Sequence, residues 1–138
     1  KENNNILFLC FLCYNKNMTI SESKENYLEI IYILSQKSNK VKAIDIAKNL
    51  NFSRASVSVA LKQLKQAKYI NVGEDSSITL TPKGRAFALG VYEKHEILSA
   101  WLVSIGVSQQ TALEDACKIE HIISEESFTA IKKHLKKK

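Results

Sequence analysis

Proline and glycine are scarce, with one Pro and four Gly in 138 residues. Both punctuate turns, so their shortage argues against a loop-rich β fold and for long helices. Cysteine is sparse as well. The three present (Cys10, Cys13 and Cys117) are an odd number and a poor disulfide framework, which points to a reducing compartment, the cytoplasm. Cys10 and Cys13 form a C-x-x-C, but no second pair and no His cluster follows at zinc-finger spacing. Long apolar runs are missing too. The run "ILFLCFLCY", residues 6–14, is too short to span a membrane and has no small-residue cleavage site behind it. Met18 then opens "MTISESKENYLEII". The expectation is that Met18 is the native start, with residues 1–17 an upstream extension, and that the chain has no membrane partner.

What is present is ordinary for a folded domain, 45% hydrophobic and 25% charged. The charge is unevenly placed. Residues 37–68 hold eight Lys/Arg against Asp45 alone, a local charge of +7 in a chain whose total is +6. A basic block in an otherwise neutral chain suits a polyanion, most simply double-stranded DNA; a solvated Lys-rich helix face is the other reading.

Hydrophobic spacing divides the chain into helices and one hairpin. From Ser21 to Leu34, apolar residues at 27, 28, 30, 31, 33 and 34 predict a helix with a broad buried face. "AIDIAKNL", 43–50, predicts a short amphipathic helix with Ile44, Ala47 and Leu50 inward. Ser53 is a fitting N-cap for a second helix whose core side is Val57, Ala60, Leu61 and Leu64. Two short helices joined by a tight turn, the second basic, outline a helix-turn-helix. "YINV" and "SITLT", separated by "GEDS", predict a small hairpin, the wing of a winged helix. Thr81 then reads as an N-cap and Pro82 as the first position of a long helix that Gly106 stops. "SQQTALEDACKIEHII" predicts a further helix, with Thr111 and Glu114 at capping-box spacing, and Ser124 caps a last one, "SEESFTAIKKHL". The expected fold is therefore mainly α. A winged helix-turn-helix domain occupies 18–81, and a helical domain occupies 82–138.

In a helix-turn-helix the N-terminal end of the second helix enters the major groove. Here that end offers Ser53, Arg54, Ala55, Ser56 and Ser58, with Lys62 a turn further on. The hydroxyls suit phosphates or base edges, Arg54 suits guanine or phosphate, and Ala55 allows close approach to a thymine methyl.

A second constellation lies near the C-terminus. In "DACKIEHIIS", 115–124, Cys117, Glu120 and His121 stand at i, i+3 and i+4, so a helix would put all three on one face. A catalytic thiol needs a helix N-terminus or a Gly-rich turn. Cys117 is mid-helix with no glycine near it, which argues against an enzyme. A metal site needs three or more convergent donors. His95 lies eleven residues before Gly106 and Cys117 eleven after it, so an antiparallel pairing across "IGVS" would bring them side by side. The residues alone leave two readings open, a metal centre or a half-exposed His with a small buried thiol.

From Ser21 to Lys136 the chain resembles the diphtheria toxin repressor family of metal-dependent transcription regulators, and within it the short manganese transport regulator branch. The pieces that carry the likeness are "ENYLEIIYIL", "AIDIAKNLNFSRASVSVALKQL", "LTPKGRAFALGVYEKHEIL" and "DACKIEHIIS". The last is the most specific. The resemblance implies a metal-activated repressor of metal homeostasis that binds a pseudo-palindromic operator as a homodimer, with no organic ligand. It implies metal ligands at Glu29, His95, Cys117, Glu120 and His121. A further family ligand, Asp or Met, falls on Asn26, whose neutral carbonyl is a departure and a weaker donor. Glu29 matches the manganese branch and Cys117 the iron branch, so Mn(II) or Fe(II) is the expected cofactor. Without the resemblance, the same DNA-binding features fit a metal-independent winged-helix regulator.

Overall fold

The computed structural model describes residues 20–137, and the side chains from residue 24 onward. The C-x-x-C, the apolar run and Met18 lie outside the described residues. Those described form two compact units, 20–89 and 90–137.

The first unit opens with α1 (Ile20–Lys37). Its Tyr27, Leu28, Ile30, Ile31 and Ile33 are all buried, the broad face that the spacing predicts. The helix outruns the predicted Leu34 by a turn, ending on Lys37, whose charge complements the helix dipole. Next comes α2 (Ala43–Leu50). The Asp45 carboxylate accepts from the Lys42 N–H at 2.9 Å and so closes its first turn. Ile46, Ala47 and Leu50 are buried, whereas Ile44 is 40% exposed, which corrects the expectation that Ile44 points inward. At about 100° per residue, positions 46, 47 and 50 share a sector that leaves Ile44 on its flank. Asn51 ends α2 in the left-handed region at φ 54°, a conformation Asn tolerates better than most residues. The chain thereby turns sharply into α3 (Arg54–Gln66). Ser53 caps α3 by accepting from the Ser56 N–H, and Val57, Leu61 and Leu64 form its buried side. Ala60 is only half-buried.

The hairpin pairs β1 (Ile70–Val72) with β2 (Ile78–Leu80), antiparallel, in the register Ile70↔Leu80, Asn71↔Thr79 and Val72↔Ile78. Val41 adds an isolated bridge, its carbonyl accepting from the Ile78 N–H at 2.7 Å. At the tip Asp75 accepts from the Ser77 hydroxyl at 2.6 Å and its N–H at 3.1 Å. These bonds, with Lys40 at 3.7 Å, hold the Asp75 carboxyl below the usual carboxylate range. The long helix α4 (Pro82–Ser104) begins against this hairpin. Thr81 is its cap, as predicted. Its hydroxyl accepts from the Gly84 N–H at 3.1 Å and donates to the Lys68 carbonyl at 2.7 Å. The Thr81 N–H also donates to the Tyr69 carbonyl at 3.0 Å. Phe87 meets Tyr69 edge-on at 5.7 Å. Lys24 and Lys83 lie 4.0 and 4.3 Å from the Tyr69 ring centre, and they lower the pKa of its phenol, Lys24 most by hydrogen bonding.

The second unit contains the rest of α4, then α5 (Gln109–Ile119) and α6 (Glu125–Lys136). Gly106, at φ 107°, reverses the chain after α4, and the Val107 N–H returns to the Leu102 carbonyl at 3.0 Å. Leu98, Ala116 and Phe128, one from each helix, make the core, with Ile97, Ile119, Ile123 and Ile131 around them. Ser124 caps α6 as predicted. The cap of α5 differs from prediction. Ser108, not Thr111, is the N-cap, accepting from the Thr111 N–H at 3.4 Å. Its extended backbone and the Val107 turn start the helix at Gln109, before the Thr111–Glu114 pair can act as a box. Ser108→Ala is accordingly expected to destabilise by about 0.5–2 kcal/mol in urea unfolding. A larger loss from Thr111→Ala would restore the capping-box reading.

Candidate metal centre and nucleic-acid interface

Three buried side chains meet in the second unit. His95, on α4, is 1% exposed, and Cys117, on α5, is 3% exposed. Glu120, the residue just past α5, is 4% exposed. The antiparallel turn across Gly106 brings His95 and Cys117 together, as the equal spacing of eleven residues predicts. His95 Nδ1 is 3.6 Å from Cys117 Sγ and 3.0 Å from Glu120 Oε2. One donor atom of each residue lies within 4.8 Å of the others, and all three are metal-binding types.

The predicted helix through "EHII" ends earlier, at Ile119. Glu120 keeps helical angles (φ −57°, ψ −26°), and its N–H still donates to the Ala116 carbonyl at 2.9 Å. It therefore stays on the Cys117 face. His121 follows in the turn. Its Nε2 lies 3.4 Å from Glu120 Oε1, on the opposite oxygen from His95. The Glu120 carboxylate thus stands between two imidazoles, while the convergent trio contains only the first of them.

This donor set fits a divalent transition ion. A metal about 2.3 Å from sulfur and about 2.1 Å from nitrogen sets those atoms roughly 3.6 Å apart at tetrahedral angles. The Cys117–His95 separation matches that without rearrangement. Burial supplies the second requirement. A thiol, a carboxylate and an imidazole enclosed together must be balanced by protons or by a cation.

In the first unit, Glu29 and Asn26 are both on α1, 1% and 7% exposed. Carboxylates are seldom buried so deeply unless matched by donors or positive charge.

The DNA candidates lie on α3, Ser53 to Ser58 at its start and Lys62 a turn further on. Ser53, Arg54, Ala55, Ser56, Ser58 and Lys62 are exposed. Two of the serines already serve the helix, since Ser53 Oγ donates to Ser56 Oγ at 2.9 Å and accepts from the Ser56 N–H. Val59 shares this exposed surface at 58%. Val59 is neither polar nor small, so it falls outside the predicted contact set; its signal in the sequence is a β-branched residue off the 57–61–64 stripe.

Comparison with known proteins places both units. Residues 19–78 match the N-terminal DNA-binding domain of the iron-dependent repressors, and residues 81–137 match their metal-binding and dimerisation domain. An uncharacterised HTH-type transcriptional regulator of Methanocaldococcus jannaschii is 36% identical over 120 residues, covering 86% of this chain and 96% of its own. The HTH-type transcriptional regulator MntR of Geobacillus kaustophilus is 34% identical over 102 residues, covering 74% of this chain and 72% of its own. Among solved structures, the manganese regulator SloR aligns with a TM-score of 0.73 at 29% identity, over 86% of this chain. This chain spans 55% of that protein's length. All three of these proteins are named as regulators. By both of its domains and by its relatives, the chain belongs to the iron-dependent repressor family.

Proposed function

We propose that this protein is a metal-activated repressor of metal homeostasis, working in the cytoplasm as a homodimer on a pseudo-palindromic DNA operator, with Mn(II) or Fe(II) as the activating ion. The observation that carries the reading is the buried His95–Cys117–Glu120 trio in the same chain as the exposed, basic start of α3. Residues 18–81 form the DNA-binding domain and 82–138 the metal-binding and dimerisation domain. His95, Cys117 and Glu120 hold the ion. His121 is their neighbour through Glu120, and Glu29 joins the set on the strength of the resemblance. Asn26 is at most a weak ligand, because its amide oxygen carries no charge.

The bound ion supplies positive charge to a pocket of anionic and lone-pair donors. The rest is done by the protein's own groups. His95 must present an unprotonated Nδ1, and Cys117 must give up its proton, so metal affinity falls as pH falls. Metal shifts DNA affinity only to the extent that it binds the DNA-competent conformation more tightly than the other. SloR is named a manganese regulator, and the matched family is described as iron-dependent. A thiolate ligand moves the preference away from Mn(II) and towards Fe(II), Co(II) and Zn(II). On DNA, Arg54 and Lys62 supply charge and hydrogen bonds, and Ser53, Ala55, Ser56 and Ser58 let the helix approach closely.

The test is a DNA-binding titration with Mn(II), Fe(II) or Zn(II) and with chelator, at two fixed salt concentrations. Affinity is expected to rise with Mn(II) or Fe(II) and to fall in chelator. Equally tight operator binding in excess chelator would favour a metal-independent winged-helix regulator.

A further inference from the structure

The outer face of α3 carries an apolar side chain that lies outside the buried core of its domain. Val59 is 58% exposed, whereas Val57, Leu61 and Leu64 supply the buried side of the same helix. A β-branched residue at an exposed helix position lowers helix propensity and here buries little in return. Val59 follows Ala55 by four residues, so the two stack one turn apart as a narrow apolar stripe. The stripe is flanked by polar and basic residues. Arg54 and Ser58 run alongside it, and Lys62 continues beyond it, all of them exposed. Cations beside a small apolar stripe, on the second helix of a helix-turn-helix, complement a major groove, where phosphates border base edges. The apolar group that the groove displays is the C5-methyl of thymine.

We propose that Val59 is a specificity-determining residue, packing with Ala55 against thymine methyl groups and selecting T·A pairs in each half-site. The inference rests on the proposed DNA-binding role of α3 and adds the kind of base that it selects. Arg54 and Lys62 contribute affinity and register, and the 55–59 stripe contributes discrimination. Removing the methyl should therefore weaken binding at the contacted position alone.

The experiment uses the full chain with Mn(II) and the duplex that it enriches from a random-sequence library. Each thymine of that duplex is replaced in turn by deoxyuridine, which lacks only the methyl. For the wild-type protein, one or two positions per half-site are expected to lose affinity, about fourfold for each methyl buried. Val59→Ala is expected to abolish the penalty at one of those positions while the penalties at the others persist. Lys62→Ala is expected to weaken every duplex alike and to flatten the salt dependence. Indifference to uracil at every position overturns the inference, as does the same uracil profile in wild type and Val59→Ala. A change of oligomeric state in Val59→Ala with an unaltered profile also overturns it, assigning the residue to a contact between copies. The profile is read in whichever metal state binds DNA, so loss of metal dependence counts against the proposed function and not against this inference. Failure to enrich any duplex overturns both.

Discussion

Cys117→Ala and His95→Ala are each expected to lower metal affinity at least 10–100-fold and to abolish metal-dependent DNA binding at metal concentrations that saturate the wild type. Losing a partner that merely orients a ligand costs about 10–100-fold; losing a ligand outright should cost no less. The effect can be read from stability without any DNA. Metal at a hundred times its dissociation constant stabilises the folded wild type by about 2.7 kcal/mol. A variant that binds a hundredfold more weakly gains only about 0.4 kcal/mol at the same concentration, by the same relation. Thermal unfolding with and without metal therefore separates ligand loss from simple destabilisation, since the latter lowers both curves together. Cys117→Glu should behave differently from Cys117→Ala. A carboxylate in place of the thiolate restores a charged, harder donor, and is expected to raise the preference for Mn(II) over Zn(II). Wild-type metal stabilisation in both alanine variants would remove the two residues from the site.

The second large effect concerns a glycine. A Cβ on Gly84 would lie 2.0 Å from the Tyr69 carbonyl oxygen and 2.9 Å from its carbon, inside any van der Waals contact. The obstacle is backbone, and it is pinned, because the same oxygen accepts the Thr81 N–H while Thr81 Oγ1 holds the Lys68 carbonyl. Gly84→Ala must pry α4 away from the end of β1. It is expected to cost about 1–3 kcal/mol or more, read as a fall in the unfolding midpoint. Gly90 is the internal control. It also lies within α4, but a Cβ there meets nothing within 4 Å, so Gly90→Ala should gain up to about 1 kcal/mol from helix propensity alone. Similar effects from the two substitutions would mean that the contact at Tyr69 does not constrain the helix.

Much of this molecule was legible in its sequence because the governing physics is local. Caps at Ser53, Thr81 and Ser124, the 43–50 helix, the hairpin and the stop at Gly106 all depend on residues within a few positions of one another. The pairing of His95 with Cys117 was legible for a related reason. Two antiparallel helices joined by a tight turn at Gly106 place residues equidistant from that turn side by side. Where local signals competed, they did not suffice. Ser108 and Thr111 are both plausible caps, and the turn that precedes the helix selects Ser108. Ile44 is apolar at nearly the right spacing, and packing directs Ile46 inward instead.

The sequence by itself determined the helices, the wing, the basic charge of α3 and the donor types of the candidate metal centre, since spacing and residue chemistry are properties of the chain. Tertiary structure alone decided that Glu120 faces His95 and Cys117 while His121 stands on its far oxygen, that Gly84 admits no side chain, and that Val59 is left on the surface. Each of these depends on which atoms from distant positions occupy the same space, and no local spacing records that.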